Sequence, residues 1–452
     1  MPPPEPAPAA LYDYLRVVIV GAGFAGLACA ANLGGTNIRV TVIDRQNYHL
    51  FVPLLYQVAT AALSPADIAE PVRKILARYW NIDVMLAEVT GVDPGRRAVL
   101  TADGNTVTYD RLVVATGSQY SYFGHDDWAE IARGLKSIED ARQIRARLLM
   151  SFEKAEMSAD PEEQKALMTT VIIGGGPTGV EMAGAIAELA RYALARDFRR
   201  IDPRSANILL VEAAPRILGA FPEPLAAYAH AALEGKGVTV LTRHAVERIE
   251  PGGVTMNGRL VPAGTVIWGA GVKASSAGQW LGVETDRSGR IRVNPDLSVA
   301  GLDGIYALGD TALTLDEHGS PLPGLAQVAK QQGKYLGRAL AANMLRGEAI
   351  PPFRFKNRGN TAVIGRNAAV FDFGNWRLKG WLGWLLWAII HVFLLIGFEN
   401  RILVSMQWVW RYFTYERGAR LIATGTPLAI RKPTAAAQAA TASRSRESAT
   451  SR

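Results

Sequence analysis

Residues 16–33 read RVVIVGAGFAGLACAANL, and this stretch decides the architecture. Arg16 to Val20 is an apolar, β-branched run of the kind found in strands buried on both faces. It passes directly into Gly21-Ala22-Gly23-Phe24-Ala25-Gly26 and then into a small-residue helix. The layout gives each glycine a task. Gly21 permits the tight turn, Gly23 lets the backbone approach a pyrophosphate, and Gly26 lets helix and strand pack closely. The helix N-terminus adds unpaired N–H groups and a partial positive charge. A second strand, Arg39 to Ile43, ends in Asp44, eighteen residues past Gly26. A carboxylate there accepts hydrogen bonds from ribose hydroxyls.

The pattern recurs. Thr170 to Ile173 is a strand, Gly174-Gly175-Gly176-Pro177-Thr178-Gly179 the turn, and VEMAGAIAELA the helix. Gly174, Gly176 and Gly179 take the roles of Gly21, Gly23 and Gly26. The strand Ile208 to Val211 ends in Glu212, thirty-three residues past Gly179, so the crossover in this copy is longer. A carboxylate at that place suits the free 2′-hydroxyl of NADH and repels the 2′-phosphate of NADPH. Two fingerprints mean either two bound dinucleotides or a duplication with one copy idle. Further strands favour the first. Arg111 to Ala115 ends in Thr116-Gly117, Thr265 to Trp268 in Gly269-Ala270-Gly271, and Ile305 to Leu308 in Gly309-Asp310. Each puts small residues at a strand's carboxyl end, where open α/β sheets bind ligands.

The whole chain fits this reading. Its 452 residues exceed one ordinary core. The 49 Lys and Arg against 41 Asp and Glu give a net charge of +8, which favours anionic partners such as phosphates or a lipid surface. No basic run interleaved with aromatics is present, so nucleic acid is not expected as a partner. Cys29 is the single cysteine, which excludes a disulfide framework, a thiolate metal site and a CxxC redox pair; no metal is expected. In LACAAN it reads as a packing residue.

The order GAGFAG…ID, ATGS, GGGPTGVE…LVE, VIWGAGV and YALGD resembles the pyridine-nucleotide-disulfide reductase superfamily of two-dinucleotide flavoproteins. Within it the chain is most similar to the type II NADH dehydrogenases, single-subunit NADH:quinone oxidoreductases. The segment DRQNYHLFVPLLYQVATAALSPADIAEPVR at 44–73, the motif AQVAKQQG at 326–333 and the C-terminal stretch carry that likeness. The resemblance implies FAD on Gly21, Gly23, Gly26, Asp44, Thr116, Gly117, Gly309 and Asp310, with Asp310 on the ribityl hydroxyls. It implies NADH on Gly174, Gly176, Gly179, Glu212 and Gly271. Gln327 and Gln331 stand at the two glutamine positions of the quinone motif, four apart on one helix face, and Tyr56 and Gln57 are implied beside flavin and quinone. Glu181, near the start of the second fingerprint helix, has two readings: a helix-end stabiliser, or a group beside nicotinamide and flavin that influences NADH binding or proton supply. One departure stands out, since the first ribose acid is Asp44 where the family usually carries Glu. A soluble reductase of a ferredoxin-like protein and a flavin-bound redox sensor are the alternative functions.

The expected fold is α/β, with an FAD-binding Rossmann-like domain (11–125 and 290–375) interrupted by an NADH-binding one (126–289). A proline-rich lead (1–10) and a tail (431–452) are expected to lack structure. Residues 376–430 are expected to form membrane-associating helices. Gly380 to Phe398 is apolar except for His391, which reads as a packing residue. Ile402, Met406, Trp410 and Phe413 follow at helical spacing. Tryptophans and the flanking Arg377, Lys379, Arg401, Arg411, Arg417 and Arg420 suit a membrane interface. Three placements compete: a spanning helix, an internal or dimer helix, and monotopic attachment to one leaflet, which the resemblance favours. A homodimer on the cytoplasmic face of the inner membrane, reducing a membrane quinone without pumping protons, completes the expectation.

Overall fold

The computed structural model describes residues 14–374, 376–414 and 417–422. The expected lead and tail lie outside the described residues. In chain order the elements that position the site begin with β1 (Leu15–Val20), α1 (Phe24–Leu33), β2 (Ile38–Asp44) and α2 (Leu55–Ala59). Next come β3 (Ile82–Leu86), β4 (Arg111–Val114), β5 (Ala132–Arg133), β6 (Thr169–Ile173) and α3 (Pro177–Glu188). β7 (Asn207–Glu212), β8 (Val238–Thr242), β9 (Thr265–Trp268), β10 (Ile305–Ala307) and α4 (Ala326–Arg346) follow. The chain closes with β11 (Asn360–Gly365), β12 (Ala368–Phe373), β13 (Trp376–Lys379), α5 (Gly380–Leu394) and α6 (Phe398–Thr414).

Two five-stranded parallel sheets dominate. The first runs β3-β2-β1-β4-β10 and the second β8-β7-β6-β9-β5. Each places its fingerprint strand at the centre, so both faces of that strand are covered and its side chains are mostly apolar or small. Val17 to Val20 and Val171 to Ile173 are buried accordingly. The two sheets share one strand order, and each receives its outer strand (β10 or β5) across the segment that joins the halves. The junction itself is a short antiparallel pair, Ser118–Tyr120 with Val272–Ala274.

The first sheet is covered by α1 and α4, which cross closely because Gly333 and Gly337 face the backbone of α1. A Cβ on Gly333 would strike the carbonyl oxygen of Ala25, and one on Gly337 that of Cys29. Cys29 is buried in this crossing, and burial pushes its thiol up to about 12. It is inert packing, as its setting suggests.

The apolar stretch from Gly380 is not one helix. α5 ends at Leu394, the chain turns through residues 395–397 with Gly397 at φ +87°, and α6 begins. Fifteen residues give α5 a length of about 22 Å, short of the roughly 30 Å hydrocarbon core. No helix among the described residues is long and apolar enough to cross a membrane. His391 is buried, stacks on Trp387 at 4.5 Å and shares a 2.7 Å hydrogen bond with the Trp387 carbonyl. Burial lowers it to about 4, so it is neutral at pH 7.

Candidate functional site

The two glycine crooks match atom for atom in what they exclude. Gly21 (φ +103°) and Gly174 (φ +105°) lie in the left-handed region, and a side chain on either would strike the chain end of the neighbouring strand. A Cβ on Gly26 would collide with the Gly21 carbonyl, and one on Gly179 with the Gly174 carbonyl. Gly23 and Gly176 are the N-caps of α1 and α3, neither helix has a side-chain cap, and no atom stands within 4 Å of where their Cβ would lie. Open space above an uncapped helix N-terminus is what a pyrophosphate requires. The acids answer in the same way. Asp44 accepts from the Ala22 N–H at 2.6 Å and the Gln46 N–H at 2.8 Å. Glu212 accepts from the Gly175 N–H at 2.6 Å and the Ala214 N–H at 2.7 Å. Both groups therefore fit a dinucleotide, with each acid already fixed at the rim of its crook.

The second group of expected residues converges where the halves join. The Gly117 N–H donates to Thr311 Oγ1 at 2.8 Å, and Thr116 Oγ1 lies 2.5 Å from Ser275 Oγ. Ser118 donates to Asp310 at 2.7 Å and receives the Lys136 ammonium at 2.9 Å. Burial lowers Lys136, against the opposing pull of Asp310. The Gly309 N–H donates to Gln332 Oε1 at 2.7 Å, while Gln332 Nε2 donates to Thr314. Asp310 and Gly309 line a cavity with Ser118, Lys273, Arg290 and Gln332. Gly271 (φ +72°) sits under the exposed ring of Phe123 at the same junction. Sequence reasoning alone misses Gln332, Lys136 and Ser118. Gln332 lies in the quoted motif, but nothing local distinguishes the buried glutamine from its neighbours.

Tyr56, Gln57 and Glu181 are brought together, in a cavity between α2, α3, β11 and the C-terminal helices. Its wall includes Trp384, Trp387, Trp408 and Tyr412, with Arg366, Arg411, Arg417 and Glu188. Gln57 donates to Tyr56 Oη at 3.0 Å and accepts from Trp408 Nε1 at 3.0 Å. Burial raises the Glu181 carboxyl to about 8, opposed to some extent by the backbone of Val363. Burial, then the neighbouring Glu181, also raises the Tyr56 phenol well above its ordinary value. α3 reaches this place because Gly184 lets it lie against the Ile364 carbonyl, where β11 carries a register shift. Glu188 at its far end accepts from Lys236 Nζ at 3.0 Å and from the Arg366 N–H at 2.6 Å, and stands 3.6 Å from Arg417. Two donors in this wall, Trp387 Nε1 and Arg411 Nη1, are buried without a partner. Each such group costs about 1–3 kcal/mol.

Gln327 and Gln331 do share one face of α4, as their spacing requires, but neither is among the residues lining that cavity. Gln331 exchanges two hydrogen bonds with the backbone of Lys356, at 2.9 and 3.1 Å. Gln327 donates to the Gly359 carbonyl at 2.9 Å and accepts from the Arg358 N–H at 3.0 Å. Two side-chain amides one helical turn apart thus pair with the backbone of residues 356–359.

Comparison with known proteins agrees with this geometry. The family model "Pyridine nucleotide-disulphide oxidoreductase" matches residues 15–333. The type II NADH:quinone oxidoreductase Ndh of Mycobacterium tuberculosis is 39% identical over 417 residues, covering 89% of each chain. Its relative NdhA from the same organism is 38% identical, covering 92% of this chain and 91% of that one. The chain belongs to the type II NADH:quinone oxidoreductases. The structure of NDH2 from Plasmodium falciparum in complex with NADH shares the fold, with a TM-score of 0.81 at 21% identity, over 91% of this chain and 100% of that one. FAD and NADH are accordingly the cofactors of this type II NADH:quinone oxidoreductase. The disulfide chemistry that names the wider family has no place in it, because Cys29 is buried and alone.

Proposed function

We propose that the chain is a non-proton-pumping respiratory enzyme that oxidises NADH on FAD and reduces a membrane quinone. The net reaction is NADH + H⁺ + quinone → NAD⁺ + quinol, so the quinone ends with two electrons and two protons. The observation that carries this reading is helix α3. It opens on the NADH crook at Gly176 and, within two turns, places Glu181 in a cavity walled by the C-terminal helices. Bound FAD supplies the hydride-accepting and electron-passing chemistry. The protein's task is to hold and to exclude. Gly21, Gly23, Gly26 and Asp44 seat the adenosine and pyrophosphate end of FAD, and Thr116, Gly117, Gly309 and Asp310 the remainder. Gly174, Gly176, Gly179, Glu212 and Gly271 seat NADH. Glu181, protonated at pH 7 by its burial, gives a proton toward the quinone oxygen and is reprotonated from solvent. Tyr56 and Gln57 line the quinone's place. Gln327 and Gln331 serve by holding residues 356–359, through the four hydrogen bonds given above.

Anaerobic NADH oxidation by FAD-loaded protein, with and without a short-chain quinone, tests this directly. Turnover that requires the quinone is the expected result. Rapid flavin reduction with no quinone-dependent turnover would instead point to a protein acceptor or a sensor.

Membrane attachment, within the same proposal, rests on one apolar face. On α5, Leu382, Leu385, Ile389 and Phe393 are exposed; on α6, Ile402, Met406, Val409 and Phe413 are. Both sets recur at helical spacing, and Arg377, Lys379 and Arg401 flank them. Two short helices with such a face lie in one leaflet, the basic residues adding about 1 kcal/mol each against anionic headgroups. The NADH supply puts this docking on the cytoplasmic face. Flotation with anionic vesicles should retain the protein in high salt, and Phe393→Asp with Phe413→Asp should release it. Pairing of two copies belongs to the same proposal, with light scattering in detergent as its test.

A further inference from the structure

Trp387 and Trp408 stack at 5.2 Å in the wall of the cavity, yet they differ in one respect. The indole N–H of Trp408 is spent on Gln57 Oε1. That of Trp387, a residue only 3% exposed, has no partner. Its ring is held between Trp408 and His391, and the His391 ring is fixed in turn by its bond to the Trp387 carbonyl. Arg411 stands in the same wall. Its Nη2 donates to Gln407 at 2.9 Å, while Nη1 is buried and unpartnered. Among the described residues nine buried side-chain polar atoms lack a partner, and these two alone are carried by residues that line the cavity. Buried polar groups without a partner are rare enough to need a reason.

Both groups are pure donors. The ligand that satisfies them must present acceptor oxygens, and the Trp384, Trp408 and Tyr412 side chains in the same wall suit an apolar ring beside those oxygens. A quinone offers two ring carbonyls and no donor. We propose that Trp387 and Arg411 are the hydrogen-bond donors that hold the quinone's carbonyl oxygen in this cavity. The assignment rests on the quinone reading above and adds to it the residues that fix the headgroup. Arg411 carries the second function of keeping positive potential next to an oxygen that gains electron density as it is reduced.

The test uses the FAD-loaded full chain with decylubiquinone and with menadione. Trp387→Phe keeps an aromatic ring in the stack but removes the N–H together with the five-membered part of the indole, so the quinone KM should rise about tenfold or more, one lost hydrogen bond setting the lower figure. Arg411→Gln should raise it more, by roughly thirtyfold, because that bond is charge-assisted, and Arg411→Lys should recover some of the loss. Stoichiometric flavin absorbance, and a wild-type rate of flavin bleaching by NADH, would show that fold and first half-reaction are intact. A Trp387→Phe enzyme with the wild-type quinone KM would overturn the assignment alone. So would a variant whose flavin bleaching by NADH falls in step with quinone turnover, because the role would then be structural. A wild-type protein that reduces ferricyanide but neither quinone would overturn the function, and the assignment with it.

Discussion

The two fingerprints agree at their three key glycines and differ in kind at the second residue after the last of these. In the first copy that position is Ala28, whose Cβ would meet a Cβ on Gly333 of α4 at 3.0 Å. In the second it is Glu181, which lines a cavity. The same crook therefore ends once in a dry helix crossing and once in an ionisable group held in a low-dielectric wall. The difference lies in what packs on the helix. α1 is covered by α4 along its length, whereas α3 is covered by β11 and by C-terminal helices that leave a gap. The chain carries two binding crooks, and the cover put on each decides which helix borders the cavity.

Replacing the same glycine in both copies should separate the cofactors. Gly26→Ala should yield protein without flavin absorbance, because its Cβ collides with the Gly21 carbonyl. Gly179→Ala should stay yellow but lose about a hundredfold in the rate of flavin reduction by NADH, the scale of loss for a misplaced substrate. If both lose flavin equally, the copies are not independent.

Glu181→Gln should lower quinone turnover by about a hundredfold if its proton is used in the rate-limiting step. The same variant sharpens the electrostatic half of the comparison. The folded chain holds the Glu181 proton up to about 8, whereas the unfolded chain releases it near 4.5. Between those values the native state binds more protons, so this contribution to stability is full below 4.5 and is lost as pH rises through 8. Melting temperatures of the wild type should fall across that window, and those of Glu181→Gln should fall less. Parallel curves would remove Glu181 from the low-dielectric wall.

Ala28→Glu asks whether the first copy could take the acid. Overpacking the α1–α4 crossing should cost about 1–3 kcal/mol, read as a lower denaturation midpoint with unchanged slope. The smallest effect expected is at the ribose acids. Glu212→Ala should relax the preference for NADH over NADPH by about tenfold in kcat/KM, the size of one charge-assisted contact. Asp44→Ala should leave that ratio alone.

Both crooks are legible in the sequence because their chemistry is local: strand, glycines, helix and acid lie within about forty residues and each has a backbone reason. Glu212 and Asp44 stand where spacing puts them. The junction is half legible. Gly117 and Gly309 mark strand ends, but Gln332, Ser118 and Lys136 act across gaps of 18 to 192 residues, and no local pattern carries such a contact. The cavity is legible only through Tyr56, Gln57 and Glu181. Its aromatic wall reads as interface tryptophans, since the sequence does not say which face of α5 and α6 turns inward. Gly397 marks the break between those helices, and the apolar run ends one residue beyond it, at Phe398, before Glu399-Asn400-Arg401. Gln327 and Gln331 read correctly as one face, and the face meets a segment thirty residues further on that carries no motif.

That pair has a consequence for the chain as a solute. Residues 356–359 lead into β11, and free N–H and C=O groups beside a strand invite pairing with another molecule. Two glutamine amides occupy Lys356, Arg358 and Gly359 instead, so helix α4 acts as a false neighbouring strand. Glutamate would lack the donor and asparagine the reach. Two neutral side chains thereby withhold four backbone groups from a strand of another molecule.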